Sequence, residues 1–297
     1  MTMNVLITGG TGFIGCALQR ALRSKGDSLI ILSRQPGPVD DESRYIRSLD
    51  QIPDTERLDA IINLAGASLA GRRWSPAYKA EIVASRIDIT GAVIALCARL
   101  KHPPSVLLSA SAIGYYGPGN DEKMDETFPA GKGFSANLCA DWENETMAAQ
   151  ALGIRVCLLR LGVVLDSDGG AMAEMVRPFR FGIANWIGTG RQWLSWVHRA
   201  DAVAAIEWLL QAPGVSGAVN VTAPAPVTSR GFCDAMKCRT RTFITLAMPA
   251  WVMRLIVGEM ADELLITGQR VVPTLLQDQG FSFRFPTIDD ALDDIVN

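Results

Sequence analysis

Residues 8 to 15 read Thr-Gly-Gly-Thr-Gly-Phe-Ile-Gly, a glycine spacing suited to holding the pyrophosphate of a dinucleotide. Each glycine has its own task. Gly9 lets the chain turn sharply, and Gly12 keeps side-chain bulk away from the phosphates. Gly15 lets a following helix approach the preceding strand. Thr8, Phe13 and Ile14 flank the turn and join it as candidate cofactor contacts. A helix starting here turns free N–H groups and the positive end of its dipole toward the anion. The competing reading is a glycine-rich turn that holds no ligand.

Further along, Ser33-Arg34 stands where an NAD-preferring chain carries an acid for the ribose 2′-OH. Asp40 and Asp41 come too late, beyond Pro36 and Pro38. A guanidinium with a neighbouring hydroxyl suits a 2′-phosphate, so NADP(H) is expected ahead of NAD(H). A solvated loop arginine is the alternative. Between Gly188 and His198, Arg191 and Trp193 can take a phosphate or flat ring of a substrate, or can form an apolar hinge between domains. His198 is either an acid/base at the substrate or a structural histidine at the start of a helix.

The elements that must position these groups alternate. Asn4–Ile7, Leu29–Leu32, Asp59–Leu64, Val106–Leu108 and Val156–Arg160 read as apolar strands, and helical spacing separates them, notably over 76–100 and 137–152. Continuously apolar strands alternating with helices predict an α/β fold: a Rossmann-type, doubly wound parallel sheet covered on both faces. Ligands of such sheets lie at the C-terminal strand ends. Gly9–Gly15, Ser33-Arg34, Leu64-Ala65-Gly66, Ser109-Ala110-Ser111 and Gly162-Val163-Val164 all follow strand ends and should meet in one crevice. The dinucleotide-binding domain is expected over 1–165 and again over 198–222. A smaller substrate-side domain is expected over 166–197 and 223–297.

The chain has 297 residues, 48% hydrophobic and 20% charged, with net charge −3. That length supports one large core or two modest ones, and the charge excludes a strongly basic surface for nucleic acid or anionic membrane. No apolar run spans a bilayer, and no basic, apolar leader opens the chain. Six scattered cysteines without a C-x-x-C pair read as reduced thiols of a cytoplasmic protein. Two histidines and no clustered thiols give a metal site little support. The helix near Trp251–Met260 has an apolar face for the core or for a homodimer contact.

Together, Thr8–Gly15, Asn63-Leu64-Ala65-Gly66 and Ser109-Ala110-Ser111-Ala112 resemble the extended short-chain dehydrogenase/reductases, which include nucleotide-sugar epimerases and dehydratases. The resemblance is closer to the atypical "epimerase family" branch with a C-terminal domain of unknown function. It is carried by Arg73-Trp74, Ser85-Arg86, Gly114-Tyr115-Tyr116-Gly117, Leu138-Cys139 with Trp142-Glu143, Gly188-x-Gly190-Arg191-Gln192, Trp196-Val197-His198 and Gly268-Gln269-Arg270. It covers essentially the whole chain. It implies further cofactor contacts at Glu81 and Arg86, on the long helix after Gly66.

The resemblance also implies a Ser, Tyr and Lys for proton transfer, and here the chain departs from it. Ser111 fits the serine position. Its tyrosines, 45, 78, 115 and 116, are followed four residues later by Leu49, Ile82, Gly119 and Asn120, never by lysine. Matching through Trp142-Glu143 puts Ser135 near the tyrosine slot and Cys139 near the lysine slot. Tyr115 or Tyr116 is the candidate substitute acid, with Lys132 and His198 behind them. Two functions follow. One is an NADP-dependent oxidoreductase or epimerase-like enzyme acting on a small substrate through Ser111 and a loop tyrosine. The other is an NADP(H) sensor that has lost hydride chemistry.

Overall fold

The computed structural model describes residues 2–35 and 43–296. At its centre is a seven-stranded parallel sheet. The strands are β1 (Asn4–Thr8), β2 (Ser28–Leu32), β3 (Ser43–Ile46), β4 (Ala60–Asn63), β5 (Val106–Ala112), β6 (Arg155–Leu161) and β7 (Gly217–Val221). Their spatial order is β7-β6-β5-β4-β1-β2-β3. The order reverses between β1 and β4, which opens a crevice above their C-terminal ends. The doubly wound sheet read from the apolar runs is therefore present.

Burial of both sheet faces explains those runs. On β1, Val5 and Ile7 enter one core with Leu18 and Leu22 of α1 (Phe13–Ser24). Leu6, pointing the other way, joins Val93 and Leu96 of α2 (Pro76–Arg99) in a second core. Helix α3 (Phe134–Met147) packs beside α2, and α4 (Arg199–Leu210) packs beside α1. Two elements escaped the sequence reading in detail. Strand β3 reads Ser-Arg-Tyr-Ile and pairs only with β2, and an edge position tolerates that polar pattern. Helix α3 begins at Phe134, ahead of the predicted Asn137, because Gly133 at φ +111° turns the chain into it.

A third core lies beyond the sheet, around Leu165, Phe179, Trp196, Phe232, Met236 and Leu292. Two short strand pairs frame it: Val163–Asp166 with Trp196–His198, and Ile183–Ile187 with Ile244–Met248. From there the chain re-enters the sheet through β7, which pairs with β6. Helix Ala250–Val257 buries none of its residues. Among the described residues no helix is long and apolar enough to cross a membrane.

Candidate functional site

The glycine turn sits at the reversal point, between the ends of β1 and β4. Gly9 has φ +66°, and a Cβ there would lie 2.6 Å from the Leu64 carbonyl. A Cβ at Gly15 would lie 2.3 Å from the Gly9 oxygen, so only glycine lets α1 begin this close to the strand. Gly12 differs. Among the described residues the sole atom near its missing Cβ is the Gly9 oxygen at 3.1 Å, so its outward side is open. No side chain caps α1, and its first-turn N–H groups are left for a ligand or water. An open, uncapped helix start fits a pyrophosphate. Gln19 steadies the turn by donating to the Gly10 carbonyl at 2.9 Å. Ile14 packs on the first core. The Phe13 ring lies under the Arg199 guanidinium at 4.7 Å and against Gly170, and Arg199 pairs with Asp166 and Asp168 at 2.9 Å each.

Ser33 and Arg34 follow β2. The Ser33 hydroxyl accepts from the Gln35 N–H at 3.2 Å and keeps its own proton to donate. Arg34 is exposed and engages no acid among the described residues. Asp40 and Asp41 lie outside the described residues.

Two hydroxyls read from sequence as cofactor contacts, Thr8 and Ser109, take part in the crest's framework. Thr8 and Ser109 are fully buried. Thr8 donates to Asn63 Oδ1 at 2.5 Å and accepts from the Ala65 N–H at 3.3 Å. Asn63 Nδ2 donates to Thr90 at 2.9 Å and Ser109 at 3.1 Å, and Trp142 Nε1 also donates to Thr90 at 2.9 Å. The network ties β1, β4 and β5 to α2 and α3 and fixes the turn at Leu64-Ala65-Gly66. Strand alternation points Ser109 and Ser111 to the same face, toward α3. Ala110 points to the other face, and the half-buried Val164 pairs with Val197.

Ser111 donates to Glu143 Oε1 at 2.6 Å. Both Glu143 oxygens are held by Arg160, each at 2.9 Å, and this pair is almost wholly buried. Charge-assisted bonding to Glu143 holds the Arg160 guanidinium further above its ordinary range, against the opposing effect of burial. Arg160 also donates to the Tyr116 hydroxyl at 3.0 Å, which donates to Asn220 Oδ1 at 2.7 Å. Tyr116 is therefore held inside this buried network. It is 2% exposed, its hydroxyl is committed twice, and burial pushes its pKa up to about 12. Tyr115 stacks on Arg160, 3.5 Å from the ring centre, and is half-buried. Ser135 and Cys139 both lie on α3. Burial pushes the Cys139 thiol up to about 11. Lys132 is exposed.

Glu143 and Arg160 were not singled out as a site by sequence reasoning. The available signal was an arginine inside the apolar strand Val-Cys-Leu-Leu-Arg-Leu, since a charge buried there requires a partner.

The remaining candidates divide. Arg86 reaches the crest and donates to the Ala67 carbonyl at 3.0 Å. Glu81 does not. It forks with Arg72 at 2.8 and 3.0 Å on the exposed start of α2. His198 lies inside the fold. It is 3% exposed, stacked 3.9 Å from Phe285, and its Nδ1 caps α4 by accepting from the Ala200 N–H at 3.1 Å. Burial lowers its pKa. Arg191 is exposed, whereas Trp193 donates to Asp121 at 2.9 Å and lies 4.4 Å from the Arg270 guanidinium, which engages it structurally.

The profile of the NAD dependent epimerase/dehydratase family matches residues 5–222, and that of a domain of unknown function, DUF1731, matches 248–295. The chain belongs to the NAD dependent epimerase/dehydratase family. Within it, the chain is similar to the epimerase family protein Mb2239 of Mycobacterium bovis, 40% identical over 97% of this chain and 96% of that one. It is 35% identical to the epimerase family protein SDR39U1 of Mus musculus, over 99% of this chain and 100% of the relative. Among solved structures, the human epimerase family protein SDR39U1 (isoform2) with NADPH superposes with TM-score 0.89 at 31% identity, covering 99% of both chains. MoeE5 in complex with UDP-glucuronic acid and NAD, at 21% identity and TM-score 0.75, shares the fold.

Proposed function

We propose that this family member binds a nicotinamide dinucleotide in the crevice, NADP(H) ahead of NAD(H), and uses it for hydride exchange with a small hydroxyl or carbonyl compound. The carrying observation is the open face of Gly12 at the uncapped start of α1, between two glycines that nothing larger replaces. Ser33-Arg34 without an accompanying acid supports the 2′-phosphate. The NADPH reported with human SDR39U1 supports it too. When bound, such a cofactor supplies or accepts the hydride. The chain's own part is to move the proton. Ser111 gives its hydrogen to Glu143, so its oxygen is free to accept from a substrate hydroxyl. Of the two loop tyrosines, Tyr115 is the one whose hydroxyl has no partner among the described residues.

A second reading is a non-catalytic NADP(H) sensor. It is favoured by one observation: Ser111 is 2% exposed and turned inward to a carboxylate that Arg160 already neutralises. NADPH oxidation followed against a panel of carbonyl compounds separates the two. Turnover lost in Ser111→Ala supports the enzyme; no turnover across the panel supports the sensor. Calorimetric titration tests the cofactor choice. NADPH is expected to bind about tenfold or more tighter than NADH, the worth of one charge-assisted bond, and Arg34→Ala is expected to remove the difference. Equal affinities in the parent protein would overturn the preference.

A further inference from the structure

Strand Ile244–Met248 is an open edge. Its one strand neighbour among the described residues is Ile183–Ile187, which runs parallel to it. The Ile244 N–H donates to the Gly182 carbonyl at 3.2 Å, and the Met248 carbonyl accepts from the Gly188 N–H at 2.8 Å. Backbone polar groups of successive strand residues point to opposite edges, so Ile244, Leu246 and Met248 address that neighbour. Thr245 and Ala247 therefore turn an N–H and a C=O each to the outer side, where no strand among the described residues meets them. The segment reads Ile-Thr-Leu-Ala-Met, without the charge or proline by which exposed edges avoid pairing.

Apolar surface surrounds this edge. Ile244 and Leu246 are exposed on the strand itself. Phe181 and Phe243 are exposed beside its start, Phe243 at 85%, and a Cβ at Gly182 would touch the Phe243 ring. The helix Ala250–Val257 follows directly after Pro249 and exposes Trp251, Leu255 and Ile256. Among the described residues, Val83 is the one exposed large apolar side chain outside this group. The group exposes on the order of 800 Å², which is what one partner contributes to a stable interface and more than the largest patch of a typical monomer.

The open edge selects the partner. A bilayer has no donors or acceptors for Thr245 and Ala247 and would leave them unpaired in hydrocarbon. A second copy of the same strand supplies both. A two-fold axis perpendicular to the sheet sets two copies antiparallel, and it keeps each residue on the same face as its own copy. Directly opposed residues also share a face, so one residue must stand opposite itself. The whole strand pairs only when that residue is Leu246, at its centre. Thr245 of each copy then exchanges both backbone bonds with Ala247 of the other, and the Leu246 side chains meet at a non-hydrogen-bonded pair. The edge groups left open in one chain are in the alternation that this pairing needs.

We infer that this face joins two copies of the chain into a two-fold dimer, by antiparallel pairing of Ile244–Met248 with itself about Leu246, with the neighbouring exposed apolar side chains packed around the joint. The dimer does not rest on the proposed cofactor site.

The test follows the mass of the full chain by sedimentation over a dilution series. The parent is expected to sediment at twice the chain mass of 32.1 kDa and to fall to the single chain on dilution. Leu246→Lys sets two ammonium groups opposite each other and is expected to weaken association about tenfold or more. Trp251→Ser should weaken it as well, and the protomer should keep its fold because this side chain is 66% exposed there. Register is read by crosslinking in a background of Cys16→Ser and Cys238→Ser, which removes the exposed thiols. Leu246→Cys is expected to form an intermolecular disulfide on oxidation, because a non-hydrogen-bonded pair sets the two Cα atoms about 4.5 Å apart. Thr245→Cys is not, because its own copy lies two residues further along the partner strand. A parent that stays monomeric at every concentration would overturn the inference. So would a dimer left equally tight by both Leu246→Lys and Trp251→Ser, or a disulfide formed by Thr245→Cys and not by Leu246→Cys. A monomeric parent that sediments with vesicles of phosphatidylcholine and phosphatidylglycerol would assign the face to a bilayer and overturn it too. Should Leu246→Lys fail to fold, Trp251→Ser and the two cysteine variants decide the outcome.

Discussion

Arg160→Met is the most informative single change to the buried network. It strands Glu143, whose side chain is 7% exposed, without its cation. Breaking a buried pair in this way costs about 3–5 kcal/mol, because one charge is left uncompensated. The loss also removes the donor to Tyr116 and the cation over the Tyr115 ring. At about 2.1 cal/mol/K of unfolding entropy per residue, a 297-residue chain loses roughly 1.6 °C in Tm per kcal/mol. The expected drop is therefore about 5–8 °C. The second variant, Arg160→Met with Glu143→Gln, replaces the stranded charge with an amide whose oxygen still accepts from Ser111. It should recover more than half of the loss. Calorimetric melts of the parent, each single variant and the double variant form the cycle. A drop under about 2 °C for Arg160→Met, or a double variant no more stable than the single, would refute the view that this pair is a closed structural unit.

Other consequences are simpler to measure. Tyr116→Phe removes the hydroxyl between Arg160 and Asn220 and should cost about 1–3 kcal/mol while leaving NADPH affinity unchanged. A variant of full stability would mean that the hydroxyl does not tie those elements. His198 gives a pH dependence. Its folded pKa is depressed by burial, so the unfolded chain binds the extra proton first; stability is complete above the ordinary value of 6.5 and is lost as pH falls below it. His198→Asn keeps a cap for the Ala200 N–H and removes the titration, so its melts between pH 7.5 and 5.5 should fall less steeply than the parent's. Parallel slopes would reject the assignment.

The sheet was legible because both of its faces are buried, and a strand buried on both faces is apolar throughout. The glycine turn was legible because close approach of α1 to β1 requires glycine at fixed offsets. Side-chain direction was not legible at the strand ends. A serine after an apolar strand has the same sequence whether it faces a ligand or the interior, and Ser109 faces the interior. The same holds for Tyr115 and Tyr116, adjacent in sequence but opposite in fate, because pairing with Asn220 needs the return of β7 from far along the chain. Glu143 with Arg160, and Glu263 accepting from the N–H groups of Phe134 and Ser135 at the start of α3, are likewise long-range pairs that spacing alone does not reveal.

The central claim is that the uncapped start of α1 is a phosphate site. Gly12→Asp tests it most directly. Gly12 has φ −81°, which any residue adopts, and aspartate is a favoured helix cap, so Tm should be unchanged or slightly raised. The same carboxylate would occupy and repel the pyrophosphate position. Equilibrium titration with NADPH is predicted to show saturable binding by the parent and at least about a tenfold loss in Gly12→Asp at equal or higher Tm. Binding of NADPH by Gly12→Asp as tightly as by the parent, or no saturable binding by the parent, would contradict the account.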